Sequence, residues 1–323
     1  MMQSLSEIGD IVNRAHRVLL IAHAVPDGDT LGSALGLAWA LRKRDIEARL
    51  SCADAVPRQL RFLPGWQDFA ARPRTDEDAI LVIDASDLER IGSLYDAAAF
   101  AAVPVVNIDH HVTNLHFGST NLVQPKAATA ELVLEVIRYL RIPLDATIAT
   151  CLLTGLVTDT LCFRTNSTTA DSLRVAALLV EAGAPLAQIA DLAFDHRSLP
   201  MLRLWGRALA NIQNADGVFW TEISQSLLRQ VGADQEASRG LANFLGTVDE
   251  APVSAVFREL EGGQVEVSFR SSAGIDISAV ALSFGGGGHA QAAGCLLTGG
   301  LSEVRERVLA ALRQAIVAQR GQA

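Results

Sequence analysis

The sequence predicts an α/β protein of two domains: a mostly parallel-sheet N-terminal domain with a helical flank, joined by a helical connector to a smaller α/β C-terminal domain. Three observations predict it. Strand-like apolar runs at Val18 to Ala22, Ala79 to Ile83 and Val103 to Ile108 alternate with helical patterns, a rhythm that implies parallel strands linked by crossovers. From Ala127 to about Ala193 helical patterns follow one another with no alternating strand between them. Beyond about residue 215, VFWTEI, VSAVFREL and VEVSFRS regain β-branched, aromatic and alternating character, ahead of a terminal helix from about Ser302 to Gln319.

Taken in order, Thr30 to Arg44 reads as the first crossover helix, and ATAELVLEVIRYL and DATIATCLLTGLVTDT supply the flank. Thr168 with Asp171 reads as a capping box for the helix that follows. Pro185 to about Asn214 contains helical pieces and few strong breakers, and EGG marks a turn between two later strands. The expected domains are therefore 1–190, a connector 191–214, and 215–323. No internal repeat or low-complexity segment interrupts them.

Composition narrows the function. The chain has 323 residues, half of them apolar, enough for two cores. A net charge of -9 argues against a broad basic face for long nucleic acid. It permits a nucleotide substrate, because cations held among carboxylates reverse the local potential. The N-terminus, MMQSLSEIGDIVNRAHR, lacks the continuous apolar core of a signal peptide, and no segment approaches the ~20 apolar residues of a membrane span. A cytoplasmic location is the expectation. Cys52, Cys151, Cys162 and Cys295 show no CxxC pairing and read as reduced core thiols.

The chemistry gathers after the strands. HAVPDGDTLGS places His23, Asp27 and Asp29 on one loop bent by Pro26 and Gly28. A second run ends in Asp84, another in Asp109, His110 and His111, and Asp159 follows a buried-looking helix. Ends of parallel strands are neighbours, so these groups can meet at one sheet edge. Singly, each Asp suits a turn or a helix cap, and Asp29 suits a cap for a helix from Thr30. Together, carboxylates and imidazoles would repel and desolvate one another without cations, so a metal cluster is the economical reading. The mixture suits manganese or magnesium better than zinc, and the histidines favour manganese. Two ions sharing Asp84 would lie ~3.5–4 Å apart and activate water for in-line attack on phosphorus.

HAVPDGD, LVIDAS, NIDHH and LVTDT, in that order, resemble the four motifs of the DHH phosphoesterase superfamily. GGGGHAQAAG resembles the glycine-rich signature of its DHH-associated C-terminal domain. Length and layout resemble the NrnA-type nanoRNases, which are oligoribonucleases and pAp phosphatases; RecJ nucleases share the motifs but carry further domains. The resemblance implies one metal on His23, Asp27 and Asp84, and a second on Asp29, Asp84, His110 and Asp159. It implies His111 beside the substrate phosphate and Asp109 orienting a ligand histidine, with Asn114 either supporting that loop or filling a plain turn.

Four glycines, Gly285 to Gly288, leave backbone amides free to approach an anion, with His289 and Arg270 as cationic partners. Alone, GGGG would read as a flexible loop. The resemblance assigns Gly286, Gly287, Gly288, His289, Arg270 and Ser271 to binding the substrate's terminal phosphate or nucleotide. Arg164, close after Asp159, is a further substrate candidate, whereas His16, His116 and His196 fall outside the motifs and read as surface or local hydrogen-bonding residues.

The implied function is a manganese-dependent phosphoesterase that hydrolyses short oligoribonucleotides to mononucleotides and extends to 3′-phosphoadenosine 5′-phosphate. The alternatives are cleavage of cyclic dinucleotides or their linear products and, from another class, a nucleotide-binding regulator without catalysis. Family II pyrophosphatases share the metal motifs, but their basic C-terminal signature is replaced here by the glycine-rich one. Enzymes of this kind often dimerise, which leaves a homodimer open without the sequence deciding the oligomeric state.

Overall fold

Val18, Leu20 and Ala22 lie on one face of strand β1 (Arg17–Ala22), Leu19 and Ile21 on the other, and all five are buried. That two-sided burial is what a central parallel strand requires. The computed structural model describes residues 1–195, 198–272 and 274–320. The chain divides into two compact units, Met1–His196 and Arg197–Ala323.

In the first unit, β1 is flanked by β2 (Glu47–Ser51) and β3 (Ala79–Ile83), followed by β4 (Val105–Asp109) and β5 (Thr120–Val123), in the order β2-β1-β3-β4-β5 and all parallel. Sequence periodicity finds the buried strands and misses β2 and β5. EARLS alternates charge with apolar residues, as an edge strand does, and TNLV is only four residues long.

Helices α1 (Met2–Arg14), α2 (Gly28–Arg42), α4 (Thr129–Tyr139) and α5 (Ala146–Asp159) join the larger core, while short α3 (Ala97–Ala101) precedes β4. The crossover helix begins two residues before the expected Thr30, because the Asp27 carboxylate caps it by accepting from the amides of Asp29 and Thr30. The capping box of α6 (Ala170–Glu181) also differs from expectation: it pairs Thr169 with Ser172, not Thr168 with Asp171. Asp171 instead meets Arg174 one turn on.

Helix α7 (Leu186–Ala190) and a widened turn, Asp191–Asp195, close this unit. Of the segment expected as a connector, α8 (Leu199–Ala210) buries Leu204, Trp205 and Ala208 in a core cluster of the second unit. His196 lies outside the described residues. Among the described residues no single helix is long and apolar enough to cross a membrane.

The second unit holds a mixed sheet in the order β10-β11-β9-β8-β7-β6: β6 (Gln213–Ala215), β7 (Val218–Ile223), β8 (Val253–Leu260), β9 (Gln264–Ser271), β10 (Gly287–His289) and β11 (Ala292–Thr298). Short helices α9 (Gln225–Val231), α10 (Leu241–Leu245) and α11 (Ser278–Ser283) and the long α12 (Leu301–Arg320) accompany it. The glycine-rich segment is part of this sheet. A Cβ on Gly286 would lie 2.1 Å from the Gly294 carbonyl oxygen, so glycine is what lets the chain enter the β10–β11 hairpin.

Candidate active site

The carboxyl ends of β1, β3 and β4, with the end of α5, bring the predicted groups of the first unit together. His23 follows β1. Its Nδ1 lies 2.7 Å from the Ala24 carbonyl oxygen, and its Nε2 lies 3.6 Å from both Asp27 Oδ2 and Asp84 Oδ2. In the neutral tautomer that donates from Nδ1 to that carbonyl, Nε2 carries a lone pair free for a cation; the atom is buried and has no hydrogen-bond partner. Ligand atoms of His23, Asp27 and Asp84 lie within 4.8 Å of one another.

Asp84 sits between two such groups. It adopts a left-handed conformation (φ 61°) while its amide still donates to the Ile108 carbonyl at 2.9 Å, so the turn out of β3 is strained and held by β4. The Thr129 hydroxyl donates to its Oδ1 at 2.8 Å. His110 Nε2 lies 3.6 Å from the same oxygen and 3.7 Å from Asp159 Oδ2, and its Nδ1 is 3.1 Å from the Lys126 carbonyl oxygen. Asp29, His110 and Asp159 form a further group of ligand atoms within 4.8 Å.

Asp29 does not cap its own helix. Its Oδ2 accepts from the Thr129 amide (2.6 Å) and its Oδ1 from the Ala130 amide (3.0 Å) and the Ser33 hydroxyl (3.1 Å), so it crosses to the N-terminus of α4. Close packing of α2 on α5 makes room for it. A Cβ on Gly155 would lie 2.7 Å from Asp29 Oδ1, and one on Gly32 would lie 2.4 Å from the Cys151 carbonyl oxygen.

His111 is held differently. Its Nδ1 is 2.7 Å from Asp109 Oδ1, and Asp109 is fully buried at the end of β4. Buried Asn114 donates to Asp109 Oδ2 (2.5 Å) and to Asn107 Oδ1 (2.8 Å), so it supports this loop, while its Oδ1 accepts from the His116 amide (2.7 Å) as a turn residue does. Thr129 and Asn107 are site residues that sequence reasoning misses. The threonine's only signal is its place ahead of an apolar helical run, and Asn107 hides inside a strand.

Charge follows geometry. Burial, then the charges of Asp84 and Asp159, push the Asp29 carboxyl well above its ordinary range. Asp159 is pushed up to about 6, chiefly by burial, with His110 opposing. Burial alone would lower the His23 imidazole, but Asp27 and Asp84 more than offset it and raise it to about 10. The hydrogen bond to Asp109 raises His111, and burial opposes it. A pocket that takes up protons to this extent, around an orphaned imidazole nitrogen, has the donor set and the charge deficit that divalent cations satisfy.

In the second unit, Arg270 on β9 donates from Nε to Asn243 Oδ1 (2.7 Å), and burial lowers its guanidinium. Ser271 donates to the Ile275 carbonyl at 2.6 Å. Not all four glycine amides are free: those of Gly285 and Gly286 close α11 by donating to Leu282 and Ala281. Gly287, Gly288 and His289 form β10 and are exposed. Arg164 folds back, its Nε donating to the Leu161 carbonyl. His16 and His116 are exposed.

A parallel sheet whose strand ends gather three imidazoles and five carboxylates, joined to a glycine-signature domain, defines a phosphoesterase of the DHH class. The DHH family N-terminal domain matches residues 17–156 and the DHHA1 domain residues 221–318. The bifunctional oligoribonuclease and PAP phosphatase NrnA of Thermus thermophilus is 37% identical over 305 residues, covering 92% of this chain and 89% of the relative. This chain belongs to the DHH family, as a phosphoesterase with a DHHA1 domain. The cyclic-di-AMP phosphodiesterase GdpP of Geobacillus thermodenitrificans is 26% identical over 303 residues, covering 87% of this chain and 44% of that protein. The crystal structure of an exopolyphosphatase-related protein from Bacteroides fragilis superposes with a TM-score of 0.92 at 24% identity, covering 99% of this chain and 98% of that one.

Proposed function

We propose that the chain is a manganese-dependent, two-metal hydrolase that cleaves short oligoribonucleotides to mononucleotides and converts 3′-phosphoadenosine 5′-phosphate to AMP. The observation that carries this reading is the buried, unpartnered Nε2 of His23 set 3.6 Å from two carboxylates. The similarity to an oligoribonuclease and PAP phosphatase, which extends over both units, supports the substrate class.

In this reading His23, Asp27 and Asp84 hold one ion, and Asp29, Asp84, His110 and Asp159 the other. Bound there, the ions supply charge neutralisation at phosphorus and activation of the attacking water. The protein's own groups orient and donate. Asp109 fixes His111 through Nδ1 and favours the imidazolium, leaving Nε2 to donate a proton or a hydrogen bond at the phosphate. Arg270, Ser271, His289 and the exposed part of Gly286–Gly288 bind the substrate's terminal phosphate or nucleotide.

The similarity to a cyclic-di-AMP phosphodiesterase supports a second reading, cleavage of cyclic or linear dinucleotides at the same centre. A panel of RNA dinucleotides to pentanucleotides, pAp, cyclic di-AMP and pyrophosphate, each with manganese, magnesium or chelator, separates these. Manganese-dependent mononucleotide release from short RNA and AMP from pAp is the expected result. Turnover of cyclic di-AMP alone would replace the first reading with the second.

A further inference from the structure

The loop after Asp84, ASDLERIG, carries a cation that the reaction above leaves unused. Its backbone is pinned against the first metal-side loop. The Arg90 carbonyl accepts the Ala24 amide at 2.6 Å, next to His23, and the Arg90 amide donates to Asp87 Oδ1 at 3.0 Å. Ile91 is fully buried, and Gly92 takes φ 59°, ψ -134°, a conformation that a side chain would strain. The Ser86 carbonyl accepts the Leu115 amide at 2.8 Å, which ties the same loop to the one carrying His111.

The side chain is the opposite of pinned. Arg90 is exposed, and among the described residues its guanidinium makes no ion pair and no hydrogen bond. It leaves a loop whose backbone is tied on one side to Ala24, next to His23, and on the other to Leu115, four residues after His111. The nearby Asp87 carboxylate does not capture it, since its oxygens hold Ser86 and the Arg90 amide. A planar guanidinium fork left open on a loop tied to those that carry His23 and His111 matches two oxygens of one phosphate group.

We propose that Arg90 is a substrate-binding residue that grips the non-bridging oxygens of the phosphate lying beside His111. This rests on the phosphoesterase reading. It is tested by titrating the metal-loaded wild-type, Arg90→Gln and Arg90→Lys proteins with inorganic phosphate in a calorimeter, alongside bound-metal analysis and kcat and KM on short RNA and pAp. Arg90→Gln should weaken phosphate binding roughly 10- to 100-fold with metal content unchanged, the loss expected of one charged hydrogen-bonding group. Arg90→Lys should recover part of it, since it restores charge without the fork. Equal phosphate affinity in wild type and Arg90→Gln, or a wild type that binds no phosphate, overturns the assignment. If the wild type binds phosphate but turns over neither substrate, the proposed activity fails and the titration still decides Arg90.

Discussion

The Thr129 amide donates to Asp29 Oδ2 at 2.6 Å across 100 residues of sequence, so a carboxylate proposed as a metal ligand is also the cap of a distant helix. The hydroxyl of the same threonine donates to Asp84 Oδ1 at 2.8 Å. One residue thus orients two acidic groups of the site.

Thr129→Val should keep the fold but remove the donor to Asp84. Loss of such a supporting contact typically costs ~10–100-fold in metal affinity or activity. Metal retained after dialysis, measured by atomic emission, checks this, and Thr129→Ser should restore most of it. Normal metal retention in the valine variant would show that the hydroxyl does not orient Asp84.

Asp84→Asn or His110→Ala should lower turnover by at least ~100-fold while the folded protein persists, because both remove ligands of the proposed ions. Chelator should do the same to the wild type. Wild-type rates in excess chelator would sink the two-metal reading.

His111→Ala should lower kcat with metal content near normal, since His111 is held by Asp109 and its proposed work is at the phosphate. Loss of an ion in that variant would exchange the roles assigned to His110 and His111.

Metal affinity should rise with pH. Without cations Asp159 titrates at about 6 and His23 at about 10, both raised, so each is protonated below its value and must release that proton to bind a cation. Below about pH 6 both protons compete; above it, through neutral pH, the His23 proton remains, and the raised Asp29 carboxyl adds a further proton to be released. The dependence of log affinity on pH should therefore be steeper on the acid side. Calorimetry in buffers of different ionisation enthalpy counts the protons released, and a pH-independent affinity would contradict the scheme.

Arg270→Ala and His289→Ala should raise KM more than they lower kcat, by roughly 1.5–3 kcal/mol per charged hydrogen bond, because binding at a substrate's end is shared by ground and transition states. Steady-state kinetics on dinucleotides to pentanucleotides check it. An unchanged KM for both variants would remove these residues from the substrate site.

Motif residues and buried strands were legible in the sequence because each carries a local signal: an apolar run ends, and an ionisable group follows. Supporting residues carry none. Thr129 looks like any threonine before a helix, and Asn107 is one polar residue in a strand; both acquire their part only when β3, β4 and α4 are brought together. The capping box slipped by one residue for a related reason, since Thr168 and Thr169 offer the same hydroxyl and only the backbone decides between them. The glycine run was harder still. Its chemistry suggested free amides, but the need for Gly286 to pass within van der Waals contact of β11 depends on a strand eight residues away in sequence.

The contact of Gly32 and Gly155 at the α2–α5 seam bears on how this enzyme can diversify. Asp27 caps α2, Asp29 lies on it and Asp159 ends α5, and at Gly32 the two helices meet backbone against backbone, while the side chains of Thr158 and Leu152 fill the space beside Gly28 and Gly36. A side chain at Gly32 would force the two helices apart and, with them, Asp29 from Asp159. A descendant that keeps Gly32 therefore keeps the close approach of α2 and α5 on which the separation of Asp29 and Asp159 depends.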